Sequence, residues 1–283
     1  MGSIRLGLLH PGEMGSAVGA CARAAGVRVQ WASDGRSADT RERADAAGLE
    51  DRGTLAAMIS ASEIILSICP PHGALDMARA VAAQRFAGLY IDANAVAPAT
   101  ARQIGGIVAQ AGATFVDGGI VGPPPRLPGR TRLYLSGREA GRAANLFASG
   151  NLEAVVLNES PGTASALKLA YAAYTKGSAA LLLAIRALAG REGVEDALLN
   201  EWGRSQAGLS ARSERAAGNG AREAWRYVGE MEEIAASFEN AGLPGGFHLA
   251  AAEIFRRLAG YKETPTPPSV AEVVAALTRS RPS

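Results

Sequence analysis

Two cysteines in 283 residues, Cys21 and Cys69, 48 positions apart, are too few and too isolated for a disulfide scaffold or a zinc site. Both read as small buried hydrophobes. His10, His72 and His248 share no metal-ligand spacing, so no metal is expected. Aromatic residues make up only 5% of a chain that is 48% hydrophobic. Much of that apolar share is alanine, which suits closely spaced helices and disfavours an all-β fold. There is no run of like charge: 29 Lys+Arg against 27 Asp+Glu leave a net charge of +2. That argues against nucleic acid or anionic lipid as a partner, because phosphate binding needs a clustered positive surface. No apolar stretch is long enough to span a bilayer. The longest near the middle, Gly177 to Ile185, is closed off by Lys176 and Arg186, and Ile4–Leu9 is too short for a signal segment. The expectation is a cytoplasmic chain acting on a small molecule.

Short apolar runs alternate with Ala-rich helical stretches through the first half. Ile4–Leu9, Val27–Ala32, Ile64–Cys69, Leu89–Asp92 and Thr114–Val116 are strand candidates, with Leu133–Ser136 and Ala154–Leu157 following. Strands separated by helices imply βαβ units, hence a Rossmann-type doubly wound parallel sheet of the α/β class. From Ser160 the pattern is helical only, with Ser160-Pro161 read as an N-cap and first helical proline. The predicted domains are residues 1–159, binding a dinucleotide, and an all-α domain over residues 160–283. Thr163 to Gly190 is apolar nearly all round, which predicts burial on every side. Trp225, Val228, Met231, Ala235 and Phe238 define the apolar face of a helix ending at Gly242, with Glu230 on its wet face. Gly218-Asn219-Gly220 reads as a loop, and Ser269 with Glu272 as a capping box.

Gly7-Leu8-Leu9-His10-Pro11-Gly12-Glu13-Met14-Gly15 follows a strand and opens a helix. There, residues without Cβ let backbone N–H groups meet a pyrophosphate. Gly12 and Gly15 stand where two of the three fingerprint glycines belong, but His10 replaces the first. His10, Pro11, Gly12, Glu13 and Met14 are the candidate cradle, the alternative being a tight turn with no ligand. At the end of the second strand, Ser33, Arg36 and Ser37 favour the 2′-phosphate of NADP over NAD, with Asp34 as a turn residue pointing away. Arg36 is otherwise a solvated loop cation. Cys69, Pro70 and Pro71 lie at the carboxyl end of a strand, where the cofactor of such a sheet sits. His72 after them either faces the cofactor or caps its loop. Lys168 stands out as an ammonium in an apolar helix. Burial there would bring it nearer neutrality and fit it to pass a proton; the alternative is a lysine snorkelling to a loop carbonyl.

Four segments resemble the β-hydroxyacid dehydrogenase superfamily, which includes 6-phosphogluconate and 3-hydroxyisobutyrate dehydrogenases and, more distantly, imine reductases. Gly12-Glu13-Met14-Gly15 is similar to its G-x-M-G, Asp92-Ala93-Asn94-Ala95-Val96-Ala97-Pro98 to its D-x-S-T-V-x-P, and Asp117-Gly118-Gly119-Ile120-Val121-Gly122-Pro123 to its D-A-P-V-S-G-G. Gly162 with Lys168 resembles the glycine-led catalytic lysine helix. Trp225 to Ala235 resembles a phosphogluconate-dehydrogenase-like subgroup with a compact helical C-terminal domain. The resemblance implies hydride transfer between a nicotinamide and a small hydroxy acid or keto compound, with Lys168 as general acid/base. It also implies that Asn94 orients substrate or cofactor, unless it only forms a turn, and that Val121, Gly122 and Pro123 line the substrate. Ala172 stands where the family places an asparagine, so Tyr171, Tyr174 and Thr175 are the candidate replacements, Tyr171 being the closest to the chemistry. Trp225 and His248 are substrate contacts by analogy, or else core or interface residues. The family's C-terminal helices further imply a homodimer, with the site in the cleft between domains. The missing asparagine and the loop Pro123-Pro124-Pro125 leave imine reduction open, and the altered fingerprint leaves open a cofactor-binding protein without chemistry.

Overall fold

Apolar runs buried on both faces dictate the first architecture that the computed structural model shows. It describes residues 3–279. The chain divides into two units, Met1–Leu169 and Ala170–Ser283. In the first, strands β1 (Arg5–Leu9), β2 (Arg28–Trp31), β3 (Glu50–Asp51), β4 (Ile64–Ser67), β5 (Leu89–Asp92), β6 (Thr114–Val121), β7 (Thr131–Ser136) and β8 (Leu152–Asn158) form one sheet. Their order is β3-β2-β1-β4-β5-β6-β7-β8. The direction of winding reverses between β1 and β4, and their carboxyl ends border the position where α/β sheets bind ligands. Helices α1 (Glu13–Ala24), α2 (Ala38–Ala46), α3 (Leu55–Ser60), α4 (Ala74–Ala83), α5 (Pro98–Gln110) and α6 (Ala140–Ala144) pack on it, and α7 (Thr163–Arg191) follows β8. Period-two alternation splits the strands between two cores. Ile64, Leu66, Leu89 and Ile91 join one cluster with Val18 and Trp31, whereas Ile65 and Tyr90 join another with Val81, Ile104 and Val108.

Three strand expectations need correction. β6 runs on past Val116 to Val121, and Gly118 and Gly119 are strand residues under close approach. A Cβ on Gly119 would stand 2.7 Å from the carbonyl oxygen of Ala164, and one on Gly118 2.9 Å from that of Asp92. β7 pairs antiparallel with β6 while every other neighbour is parallel, because the connection from Gly122 to Arg130 is shorter than the roughly dozen residues that a parallel crossover requires. β3 is too short and polar to leave an apolar signature.

In the second unit, α8 (Glu195–Ser205), α9 (Leu209–Arg215), α10 (Ala221–Asn240), α11 (Gly246–Leu258) and α12 (Val270–Thr278) complete the chain. The expected loop at Gly218 and Gly220 is a π turn, Ala216–Gly220, that joins α9 to α10; buried Ala216, Ala217 and Ala221 on either side keep it helical. α7 is not buried all round: Ala172, Leu182, Leu183 and Ala187 turn inward, while Tyr171, Tyr174, Leu181 and Leu188 are exposed. Glu230, expected on a wet face, is buried and forms an ion pair with Lys176, which resolves the cost of its charge. Ser269 and Glu272 do form the capping box that opens α12. Among the described residues no helix is long and apolar enough to cross a membrane.

Candidate functional site

The turn after β1 is built by two backbone constraints. His10 holds φ +62, a conformation that glycine adopts freely and that histidine tolerates better than most residues. The missing first glycine is thus replaced without loss of its backbone shape. The carbonyl oxygen of His10 accepts the N–H of Gly12 at 2.8 Å, and any Cβ on Gly15 would overlap that same oxygen. Gly12 is the N-cap of α1, contributes no side-chain cap and has nothing within 4 Å of where its Cβ would be. The first N–H groups of α1 therefore keep no intrahelical acceptor and no side-chain cap, the arrangement in which a helix start can meet an anionic diphosphate. Glu13 directs its exposed carboxylate to Arg126, 3.5 Å away. His10 is held down to about 4 by burial and then by the charge of Arg36, so its ring is neutral at pH 7.

That effect locates Arg36. It is half-buried, its own pKa is pulled down by burial, and its charge acts on both His10 and Cys69. Asp34 is exposed and donates its N–H to the carbonyl of Gly53. Both expected serine partners have local duties. Ser37 caps α2 by accepting the N–H of Thr40 at 3.3 Å, and Ser33 donates its N–H to Asp51 at 3.2 Å. Arg36 and Arg41, the latter bonded to the carbonyls of Ser33 and Arg36, are basic groups at this loop.

The carboxyl ends of β4 and β5 are bracketed by Asn94, 2% exposed. Its amide nitrogen donates to Ser67 Oγ at 3.1 Å and to Asp92 Oδ2 at 2.8 Å, and its amide oxygen accepts the N–H of Cys69 at 2.6 Å. Both amide hydrogens are engaged and the oxygen accepts one N–H, so Asn94 ties the ends of β4 and β5 together. Asp92 beside it is fully buried. Burial pushes its carboxyl up to about 7, hydrogen bonds from Asn94 oppose this, and the charge of Asp117, its partner in the β5–β6 register, adds to it. Burial, followed by the charge of Asp92, lifts the Cys69 thiol to about 12, so it is inert as a nucleophile near neutral pH. Pro70 is exposed and Pro71 opens a short turn with exposed His72.

The start of α7 holds the other group of candidate residues. Helical structure begins at Thr163, so Ser160-Pro161 is not the cap. Asp117 of β6 takes that role, accepting the N–H groups of Gly162 at 2.9 Å and Ser165 at 3.0 Å. Lys168 follows on the next turn. It is half-buried, not sealed in apolar surroundings as the sequence suggests, and its Cβ lies 2.9 Å from where one on Gly119 would be. Val121 is buried, and Gly122 holds φ +121 where a Cβ would overlap the carbonyl of Arg130. Thr131 closes that hairpin by donating its hydroxyl to the carbonyl of Pro123 at 2.5 Å.

The second unit distributes its candidates unevenly. Tyr171 is 51% exposed. Tyr174 accepts a hydrogen bond from Arg212 at 3.0 Å, and Thr175 returns its hydroxyl to the carbonyl of Tyr171 at 3.1 Å. Trp225 lies under the Lys262 ammonium, 4.2 Å from the ring centroid. His248 is buried among Phe238 and Phe247, as the core alternative expects, and burial holds it below its ordinary pKa. The sequence reading missed Asp117 as the anchor of α7, although an aspartate ahead of two glycines at a strand's end was a usable signal. It also missed Glu230, whose charged neighbours Arg226, Glu232 and Glu233 made it read as solvated.

Residues 189–258 match the family described as a domain of unknown function, DUF1932. The chain is 30% identical, over 196 residues, to an uncharacterized 28.5 kDa protein from the 7S RNA 5′ region of Methanothermus fervidus, covering 69% of this chain and 75% of that one. Among solved structures it is similar to the conserved protein MTH1747, described as structurally similar to 3-hydroxyacid dehydrogenases, at 27% identity and TM-score 0.68 over 92% of this chain and 98% of that one. A 3-hydroxyisobutyrate dehydrogenase of Mycobacterium tuberculosis with L-serine gives 15% identity and TM-score 0.70 over 98% and 100%. A reductive aminase of Aspergillus terreus in complex with NADPH gives 19% and 0.57 over 97% and 99%.

Proposed function

Because the chain belongs to the β-hydroxyacid dehydrogenase-like superfamily, we propose that it is an NADP-dependent oxidoreductase acting on a small hydroxy acid or the corresponding keto compound. The turn after β1 is the observation that carries this reading. Gly12 leaves open space in front of an uncapped helix N-terminus at the point where the sheet reverses its winding. Gly12, Glu13 and Met14 would hold the diphosphate through backbone N–H groups, and Arg36 would meet a 2′-phosphate. When bound, the nicotinamide supplies or accepts the hydride. Lys168 then gives its ammonium proton to the carbonyl oxygen as it becomes a hydroxyl, or takes that proton back in the oxidative direction. A second reading, reduction of a C=N bond, is favoured by Ala172, a buried methyl group where the family places an asparagine. The proposal includes a homodimer, supported by exposed Tyr174, Leu181 and Leu188 spaced seven residues apart along α7.

The test is loss of nicotinamide absorbance when the purified protein meets NADPH and a panel of small β-keto acids, ketones and cyclic imines. Turnover of a keto acid supports the first reading and turnover of an imine the second; tight NADPH binding without turnover of any member defeats both. The cofactor choice has its own check by fluorescence titration. Arg36→Ala is expected to lower the preference for NADPH over NADH by about tenfold or more, equivalent to about 1.4 kcal/mol. An unchanged ratio removes Arg36 from the site.

A further inference from the structure

We propose that Asp117 is the positioning residue for Lys168, fixing the first turn of α7 to the sheet so that the ammonium is held in register for proton transfer; this rests on the reading of Lys168 as the acid/base. Asp117 is fully buried at the middle of β6. Four donors converge on its carboxylate. Oδ2 accepts from Ser136 Oγ at 3.0 Å, Gly162 N at 2.9 Å and Ser165 N at 3.0 Å, and Oδ1 accepts from Ser165 Oγ at 2.5 Å. Ser136 Oγ in turn accepts the N–H of Ala164 at 3.1 Å. Three N–H groups at the helix start, which have no intrahelical acceptor, are therefore satisfied by side chains of β6 and β7. The negative charge also sits at the positive end of the helix, which stabilises both.

The geometry carries this hold forward to Lys168. Two residues along a strand advance about 6.7 Å, and four residues along a helix advance about 6 Å. The step from Asp117 to Gly119 thus matches the step from Ala164 to Lys168. Gly119 accordingly lies under the helix, its missing Cβ leaving room for the Ala164 carbonyl and the Lys168 Cβ at 2.7 and 2.9 Å. An aspartate here acts at a distance of one helical turn, through a rigid backbone and not through its own contact with a substrate.

The chain has three lysines, Lys168, Lys176 and Lys262, so reductive methylation with ¹³C-formaldehyde gives three side-chain signals, assigned with single Lys→Arg variants. Lys176 shares α7 with Lys168 and serves as the internal reference. In Asp117→Asn and Ser165→Ala of the full chain, the Lys168 signal is expected to move while those of Lys176 and Lys262 stay. On a substrate found in the panel, kcat is expected to fall by up to about 10²-fold with KM and NADPH affinity held, as for a misplacement of about 1 Å. Ser165→Ala removes a single hydrogen bond and keeps the test open should Asp117→Asn fold poorly. An unmoved Lys168 signal in a folded variant, or equal movement of all three lysines, overturns the proposal. The two readings separate cleanly. Full turnover in Lys168→Ala alongside a moved Lys168 signal in Asp117→Asn defeats the acid/base reading and supports the anchoring, whereas the reverse pattern defeats the anchoring alone.

Discussion

Lys168→Ala is expected to lower kcat by about 10²–10⁴-fold on any substrate the protein turns over, with NADPH affinity within about twofold of wild type. The two halves of this expectation come from different parts of the first unit. On the proposed reading, cofactor affinity would arise at the turn after β1, from backbone N–H groups of α1 that no side chain caps, whereas Lys168 lies on α7. Proton transfer needs an amine that can exist in both protonation states beside the reacting oxygen, and Lys168 is half-buried at the second turn of α7. Lys168→Arg sharpens the experiment. Arginine keeps the positive charge and much of the reach but does not deprotonate in proteins, so it should be as inactive as alanine in the oxidative direction. Steady-state rates in both directions, with fluorescence titration of NADPH, measure this; near-wild-type turnover in either variant would remove the lysine from the mechanism.

What the sequence made legible follows from how local each cause is. β1, β4 and β5 were readable because a strand buried on both faces must be apolar at every position, as Ile64 to Leu66 and Leu89 to Ile91 are. The turn between β1 and α1 was readable because glycine spacing and the strand-to-helix transition occur within a few residues. The far end of β6 was not, since Gly118 and Gly119 are demanded by Asp92 and by α7, both distant in sequence. The true cap of α7 was hidden for the same reason. Ser160 satisfies a local rule, yet a carboxylate from β6 with more charge and better geometry takes the N–H groups. Asn94 was singled out by its motif, but its bonds to Ser67 and Cys69 lie outside what a local pattern can show. Glu230 is read as solvated from its own helix and becomes a buried partner once Lys176 meets it.

The same distinction between local and distant causes separates the two glycines of the turn, and the largest stability effect is expected at Gly15. A methyl group there overlaps the carbonyl oxygen of His10, which already accepts the Gly12 N–H and belongs to a residue held at φ +62. The backbone has no slack on that side, so Gly15→Ala should destabilise the chain by about 1–3 kcal/mol, as overpacked positions do, and lose NADPH binding as a consequence. Gly12 is the opposite case. Its φ of −70 and ψ of −167 suit any residue and its Cβ would meet nothing within 4 Å, so Gly12→Ala should melt like wild type. Yet the added methyl would occupy the space in front of the helix N-terminus, and NADPH affinity should fall by about tenfold or more, about 1.4 kcal/mol. Urea denaturation read beside NADPH titration separates a glycine required by the fold from one required by the ligand. Unchanged NADPH binding in Gly12→Ala would mean that the diphosphate does not lie against this turn.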